Sequence, residues 1–172
     1  MNSLRSIMKN KIITGLFILV MASHFPACAQ TKDLSNRLTA YNRVDMATMN
    51  TQILQLINQH RKAIGKGELQ MIDAASAQAT QHSRDMMKGT TPFGHDGFDD
   101  RVTAVRNSIG FVRAAAENVA YGQMSATEVV DGWLHSPGHK KNIEGDYNLT
   151  GIGVSQNSEG VIYFTQIFFL KK

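Results

Sequence analysis

The only cysteine in the chain, Cys28, sits at the end of an export leader, so whatever folds after it must do so without a disulfide. Arg5, Lys9 and Lys11 make a positive start with no acidic residue nearby, and Ile12 to Ala22 is an apolar run too short to span a bilayer. The residues just beyond that run can be read two ways. Ala27-Cys28-Ala29 is an A-x-A site that would release a chain beginning at Gln30, whereas Phe25-Pro26-Ala27-Cys28 resembles a lipobox, with Cys28 lipidated as the first mature residue. Residues 1–29 are thus expected to be a signal peptide, and the mature protein to be extracellular, periplasmic or lipid-anchored. Any membrane contact would come through the leader or an anchor at Cys28.

A chain without disulfides has to stand on its core. About 140 residues remain after the leader, enough for one domain that buries a core of its own. The formal charge of +4 largely belongs to the leader: 18 Lys and Arg less its three leave 15, against 14 Asp and Glu. With no basic face and no basic run interleaved with aromatics, nucleic acid is not an expected partner. Residues 30–45 are polar and mixed, as suits a linker, and residues 46–172 carry the domain.

Met49, Ile53, Leu56, Ile57 and His60 recur at helical spacing, which predicts a first helix from about Asp45 to Ala63, closed by Gly65 and Gly67. Leu69 to Ile72 leads into a second helix that Asp73 is placed to cap, rich in alanine and ended by Gly89. His60 and His82 lie inside these helices and read as partly buried or surface histidines rather than ligands. The loop Thr90 to Asp100 then sets His95 and Asp96 between glycines and pins them with Phe93 and Phe98, a pattern closer to a site than to a spacer. The plainer alternative has Asp96 capping the next helix, Phe98 to Ser108, and His95 bonding a backbone carbonyl. Arg101 would pair with one of its own acidic neighbours.

Glu117 stands between three alanines and Asn118-Val119. A carboxylate in small apolar surroundings either finds a partner or rises in pKa. Ser125 and Glu128 form a capping box that opens a helix with Val129, Val130 and Trp133 on one face. Ser136-Pro137-Gly138 should stop that helix in a turn and present His139 at a fixed angle just beyond it, with Trp133 anchoring the segment to the core. Leu149 to Gln156 and Val161 to Leu170 read as a hairpin around Asn157-Ser158-Glu159-Gly160. Gly151 and Gly153 thin its first strand, which implies a close backbone or bound group.

The run Phe-Gly-His-Asp, Ala-Glu-Asn-Val-Ala, Trp133-to-Ile143, Gly-Ile-Gly-Val and Tyr-Phe-Thr-Gln-Ile-Phe, in that order, resembles the CAP superfamily in its bacterial SCP-like form. These are the cysteine-rich secretory, antigen 5 and pathogenesis-related 1 proteins, and the resemblance spans Met46 to Leu170. It implies an α+β fold, an α-β-α sandwich with a small antiparallel sheet between helical layers, whose third strand would lie around Phe111–Glu117. It also implies a shallow cleft in which His95, Glu117 and His139 match family positions that bind a divalent cation in some members. A fourth family position, a glutamate three residues after the tryptophan, is Ser136 here. The two imidazoles and one carboxylate would hold zinc or another divalent metal with an open position. Asp96, Asn118, His135 and Ser136 complete the expected cleft.

Three functions are compatible with these residues. The cleft binds an envelope lipid, glycan or peptide without turning it over; or it is a metal-dependent hydrolase with Glu117 as ligand or general base; or the domain is purely structural. Binding is the expected one. No H-E-x-x-H helix and no G-x-S-x-G motif is present, and Ser136 before proline reads as a turn residue rather than a nucleophile.

Overall fold

A computed structural model describes residues 46–171. The leader, Cys28 and the linker lie outside the described residues, as does Asp45. Helix α1 runs through residues 46–63. It is followed by strand β1 (Gln70–Met71), helix α2 (Asp73–Lys88), helix α3 (Phe98–Ile109) and strand β2 (Ala114–Tyr121). Helices α4 (Ala126–His135) and α5 (Pro137–Ile143) come next, and strands β3 (Leu149–Gln156) and β4 (Ile162–Leu170) close the fold. The sheet order is β1-β3-β4-β2, with β1 parallel to β3 and the other pairs antiparallel.

Period-two alternation divides β3 and β4 between two cores. Ile152, Val154, Phe164 and Phe168 face α1, α4 and α5, where they meet Ile53, Ile57, Val130, Trp133 and Ile143. Ile167 and Phe169 face α2 and α3, against Ala75, Ala79, Val102 and Val105. The layers are helix, sheet, helix. Each fully buried Ile or Phe contributes about 1.5–3 kcal/mol by leaving water, and no disulfide is needed.

Glycine decides how closely α2 lies on the sheet. A Cβ at Gly151 would fall 2.1 Å from the Ala75 carbonyl carbon, and one at Gly153 would fall 2.1 Å from the Thr80 nitrogen. The close group expected beside these glycines is the backbone of α2. Ser83 locks the contact, its hydroxyl donating to the Gly153 carbonyl at 2.9 Å and lying in a hydrogen bond of 2.8 Å with the Thr165 hydroxyl.

Several local expectations are corrected. Asp73 does not cap α2: it is the first helical residue, and Ile72 occupies the cap position with no side-chain bond. Leu69 to Ile72 contains strand β1, which the chain's local pattern does not reveal. The third long strand starts later than expected and runs through Glu117 to Tyr121. Ser125 accepts from the Glu128 N–H at 3.2 Å as a capping box requires, but Glu128 reaches back to the Met124 N–H at 2.7 Å, one residue further than predicted.

The Ser136-Pro137 break is real, yet it does not open into a turn. Ser136 is extended, Pro137 takes the first position of α5, and His139 stands inside that helix. A proline at the first helical position loses nothing, because its missing N–H would have no helical partner there. Buried Arg61 fixes the far end of α5 by donating to the carbonyls of Gly67, Ile143, Gly145 and Tyr147 at 2.6–2.9 Å.

Candidate functional site

Strand alternation aims Glu117 at the α2–α3 side of the sheet, where three side chains gather around it. Arg101 from α3 donates Nε to Oε2 at 2.9 Å and Nη2 to Oε1 at 2.8 Å, a two-pronged ion pair. His95 donates Nδ1 to Oε1 at 2.9 Å, and His82 from α2 lies 3.9 Å from the same oxygen. The Glu117 side chain is only 2% exposed. Its partner is therefore not a solvent ion but a built cage, and Arg101 pairs with it rather than with Asp99 or Asp100.

His82 and Arg101 also hold the loop. His82 Nε2 donates to the Gly94 carbonyl at 2.9 Å, and Arg101 Nη1 donates to the Asp96 carbonyl at 2.8 Å. The cap of α3 is Gly97 in the left-handed region at φ 75°, not Asp96. Asp96 thus serves the site through its backbone. Because Nδ1 of His95 donates to a carboxylate, its Nε2 is left to solvent on a side chain 54% exposed.

On the other side of β2, Asn118 is fully buried and donates to the His139 carbonyl at 3.1 Å. Asn142 donates to Asn118 Oδ1 at 2.9 Å and to the Glu117 carbonyl at 3.2 Å. The Glu-Asn pair in sequence thereby does two jobs: Glu117 ties down the loop, and Asn118 ties down α5. Trp133 Nε1 donates to the Val119 carbonyl at 3.4 Å, so the free edge of β2 is covered by side chains. Burial, with some help from the nearby His95, holds the His139 imidazole below the usual histidine range. That shift favours the neutral imidazole.

Beside His139 lies a hollow of about 280 Å³ walled by Phe93, Tyr121, Gln123 and Ser136, with Val119, Val129 and Trp133 beneath. Ser136 lines it. His135 does not: it is 77% exposed, and its Nδ1 donates back to the Asp131 carbonyl at 2.9 Å. The sequence pattern did not mark Phe93, Tyr121 and Gln123 as walls of this hollow. Extending the strand to Tyr121 would have revealed one of them, since alternation puts Glu117 and Tyr121 on the same face.

The donor set fits a cation poorly. Three of the four Glu117 lone pairs accept from Arg101 and His95, and the carboxylate is buried beside a guanidinium whose charge opposes a cation. Among the described residues no three His, Cys, Asp or Glu side chains converge as a metal site.

The comparisons with known proteins agree with this architecture. The pattern of the cysteine-rich secretory protein family, CAP, matches residues 54–168. The uncharacterized protein YkwD of Bacillus subtilis is 32% identical over 84% of this chain and 55% of its own length. The uncharacterized membrane protein YlbC of the same organism is 34% identical over 70% of this chain and 34% of its own. The chain thus spans only about half or a third of these relatives. A Bacillus anthracis extracellular protein containing an SCP domain superposes with a TM-score of 0.64 at 26% identity, covering 73% of this chain and 41% of that one. A cysteine-rich secretory protein of Staphylococcus aureus shares the fold at a TM-score of 0.59 and 19% identity, covering 73% and 39%. With the layered fold, the ordered motifs and these matches together, the chain belongs to the CAP family of cysteine-rich secretory proteins.

Proposed function

We propose that this CAP domain acts outside the cytoplasm as a binding module, holding a small ligand in the hollow beside His139 without transforming it. The observation that carries the reading is the commitment of Glu117. A general base or metal ligand needs an accessible lone pair, and here three of the carboxylate's four lone pairs accept bonds from Arg101 and His95 on a side chain only 2% exposed. A hydrolase built on Glu117 would have to break that pair first. Export is supported by the leader and by the secretory or extracellular descriptions of similar proteins.

The test has two arms. Zinc titration by calorimetry is run on the wild type and on a His95→Ala, His139→Ala double variant, and no saturable difference is expected. Envelope extracts separated into lipid, glycan and peptide pools are added while the His139 imidazole resonances are followed, and each pool is recovered for mass spectrometry. One pool should move His139 and return intact. Near-stoichiometric zinc binding lost in the double variant, or a pool altered by the wild type but not by Glu117→Gln, would overturn the reading in favour of a metal-dependent hydrolase.

A further inference from the structure

The aromatic wall of the hollow narrows the class of ligand, an inference that rests on the binding reading above. Phe93 and Tyr121 are large aromatics left 48% and 53% exposed, and they are not scattered. Their ring centroids lie 4.7 Å apart in an edge arrangement, and Tyr121 stacks on Tyr163 at 5.6 Å with 18° between the planes. The result is a continuous aromatic strip along the end of β2 and β4. Isolated exposed aromatics need no explanation, but a contiguous group at the mouth of a hollow marks a contact surface.

Polar groups face the strip. Gln123, Ser136 and His139 line the hollow. Gln123 Oε1 accepts no hydrogen bond among the described residues, and the Ser136 hydroxyl does not cap α5 although it stands at the cap position. Among the described residues, His139 forms its hydrogen bonds through the backbone, its carbonyl accepting from Asn118. The Gln123 amide and the Ser136 hydroxyl can each both donate and accept, as an imidazole does in its neutral form.

We propose that this hollow and its aromatic strip form a subsite for a neutral sugar unit of a glycan chain. The negative face of an aromatic ring attracts the slightly positive C–H groups on the flat side of a sugar. The hydroxyls at the sugar's rim act as donor and acceptor at once, which matches Gln123, Ser136 and His139. An acyl chain would strand those groups without partners, at a cost of about 1–3 kcal/mol each. An extended peptide adding to the sheet would need the open edge of β2, yet the Glu117 and Val119 carbonyls there are taken by Asn142 and Trp133. An ionic ligand would meet no charged side chain among the described residues that line the hollow, and nearby Arg101 and Glu117 are buried and paired with each other.

The purified full chain is titrated with N-acetylglucosamine tetramer and, separately, with glucose tetramer, following amide and aromatic resonances. At least one tetramer should give saturable shifts centred on Tyr121, Gln123 and His139. Tyr121→Ala should weaken binding about tenfold and Gln123→Ala severalfold, with unchanged unfolding midpoints. Equal binding by Tyr121→Ala would overturn the subsite. If neither sugar binds at millimolar concentration but a fatty acid or tripeptide moves His139, the sugar class is wrong and the binding reading stands. If none of these probes moves any hollow resonance, both fail.

Discussion

The Arg101–Glu117 pair has lopsided energetics. Bringing two charges out of water nearly cancels their attraction, so the intact pair adds little, but removing one partner leaves a buried charge unmatched. Arg101→Ala is therefore expected to lower unfolding stability by about 3–5 kcal/mol in urea denaturation. The double replacement Arg101→Met, Glu117→Leu should recover most of that loss, and a double variant as unstable as the single one would contradict the argument. Glu117 was legible as an odd carboxylate because three alanines precede it. Its partner was not, since Asp99 and Asp100 are nearer to Arg101 in sequence and only the packing of α3 on the sheet turns the guanidinium across to β2. His82 was hidden for the same reason: helical position leaves its burial open and says nothing of what would pack against it.

At the scale of elements, the contact between α2 and β3 brings the two backbones together at Gly151 and Gly153. Gly153→Ala would drive a methyl into helix backbone, which cannot swing aside as a side chain can. A loss of about 3 kcal/mol or more is expected, at the upper end for overpacking, and calorimetric unfolding would register it. The same variant should weaken the Ser83 bond to the Gly153 carbonyl and loosen His82 one residue away, visible as faster amide exchange in the loop 90–97. A stability within about 1 kcal/mol of wild type would mean that α2 is not held as closely as argued. The glycines announced a close neighbour in sequence, but not which one. Long amphipathic helices and the β3–β4 hairpin were readable because periodicity and turn chemistry are local. Strand β1 was not, because its two residues are defined only by pairing with β3 at the other end of the chain. The helical start at Pro137 looks locally like a turn, since the same proline that ends one helix is well suited to begin the next.

For the whole molecule, acid should act through His82. Burial lowers its pKa most; the Gly94 carbonyl pulls the other way, Arg101 lowers it, Glu117 raises it and His95 lowers it slightly, for a net decrease from 6.5. The unfolded chain therefore binds the proton more readily than the fold does. Stability is complete above about pH 6.5 and falls as the pH drops toward the folded value, with a slope of at most about 1.4 kcal/mol per unit from this residue. His139, lowered by burial and by His95, adds in the same direction. Urea midpoints measured from pH 5 to 8 should show the decline, and His82→Gln, which keeps a donor for Gly94, should flatten it. An unchanged slope in that variant would remove His82 as the source.

Local chemistry in the sequence determined the longer helices, the hairpin, the disulfide-free core and the motif order that marks the family, because each of these depends on residues a few positions apart. Tertiary structure alone decided that Arg101 crosses to Glu117, that Asn118 holds α5 rather than a ligand, and that His135 points away while Tyr121 and Gln123 join His139. Those outcomes depend on which faces two packed layers bring together, and the free energy of a buried charge or an open hollow exists only once the layers have met.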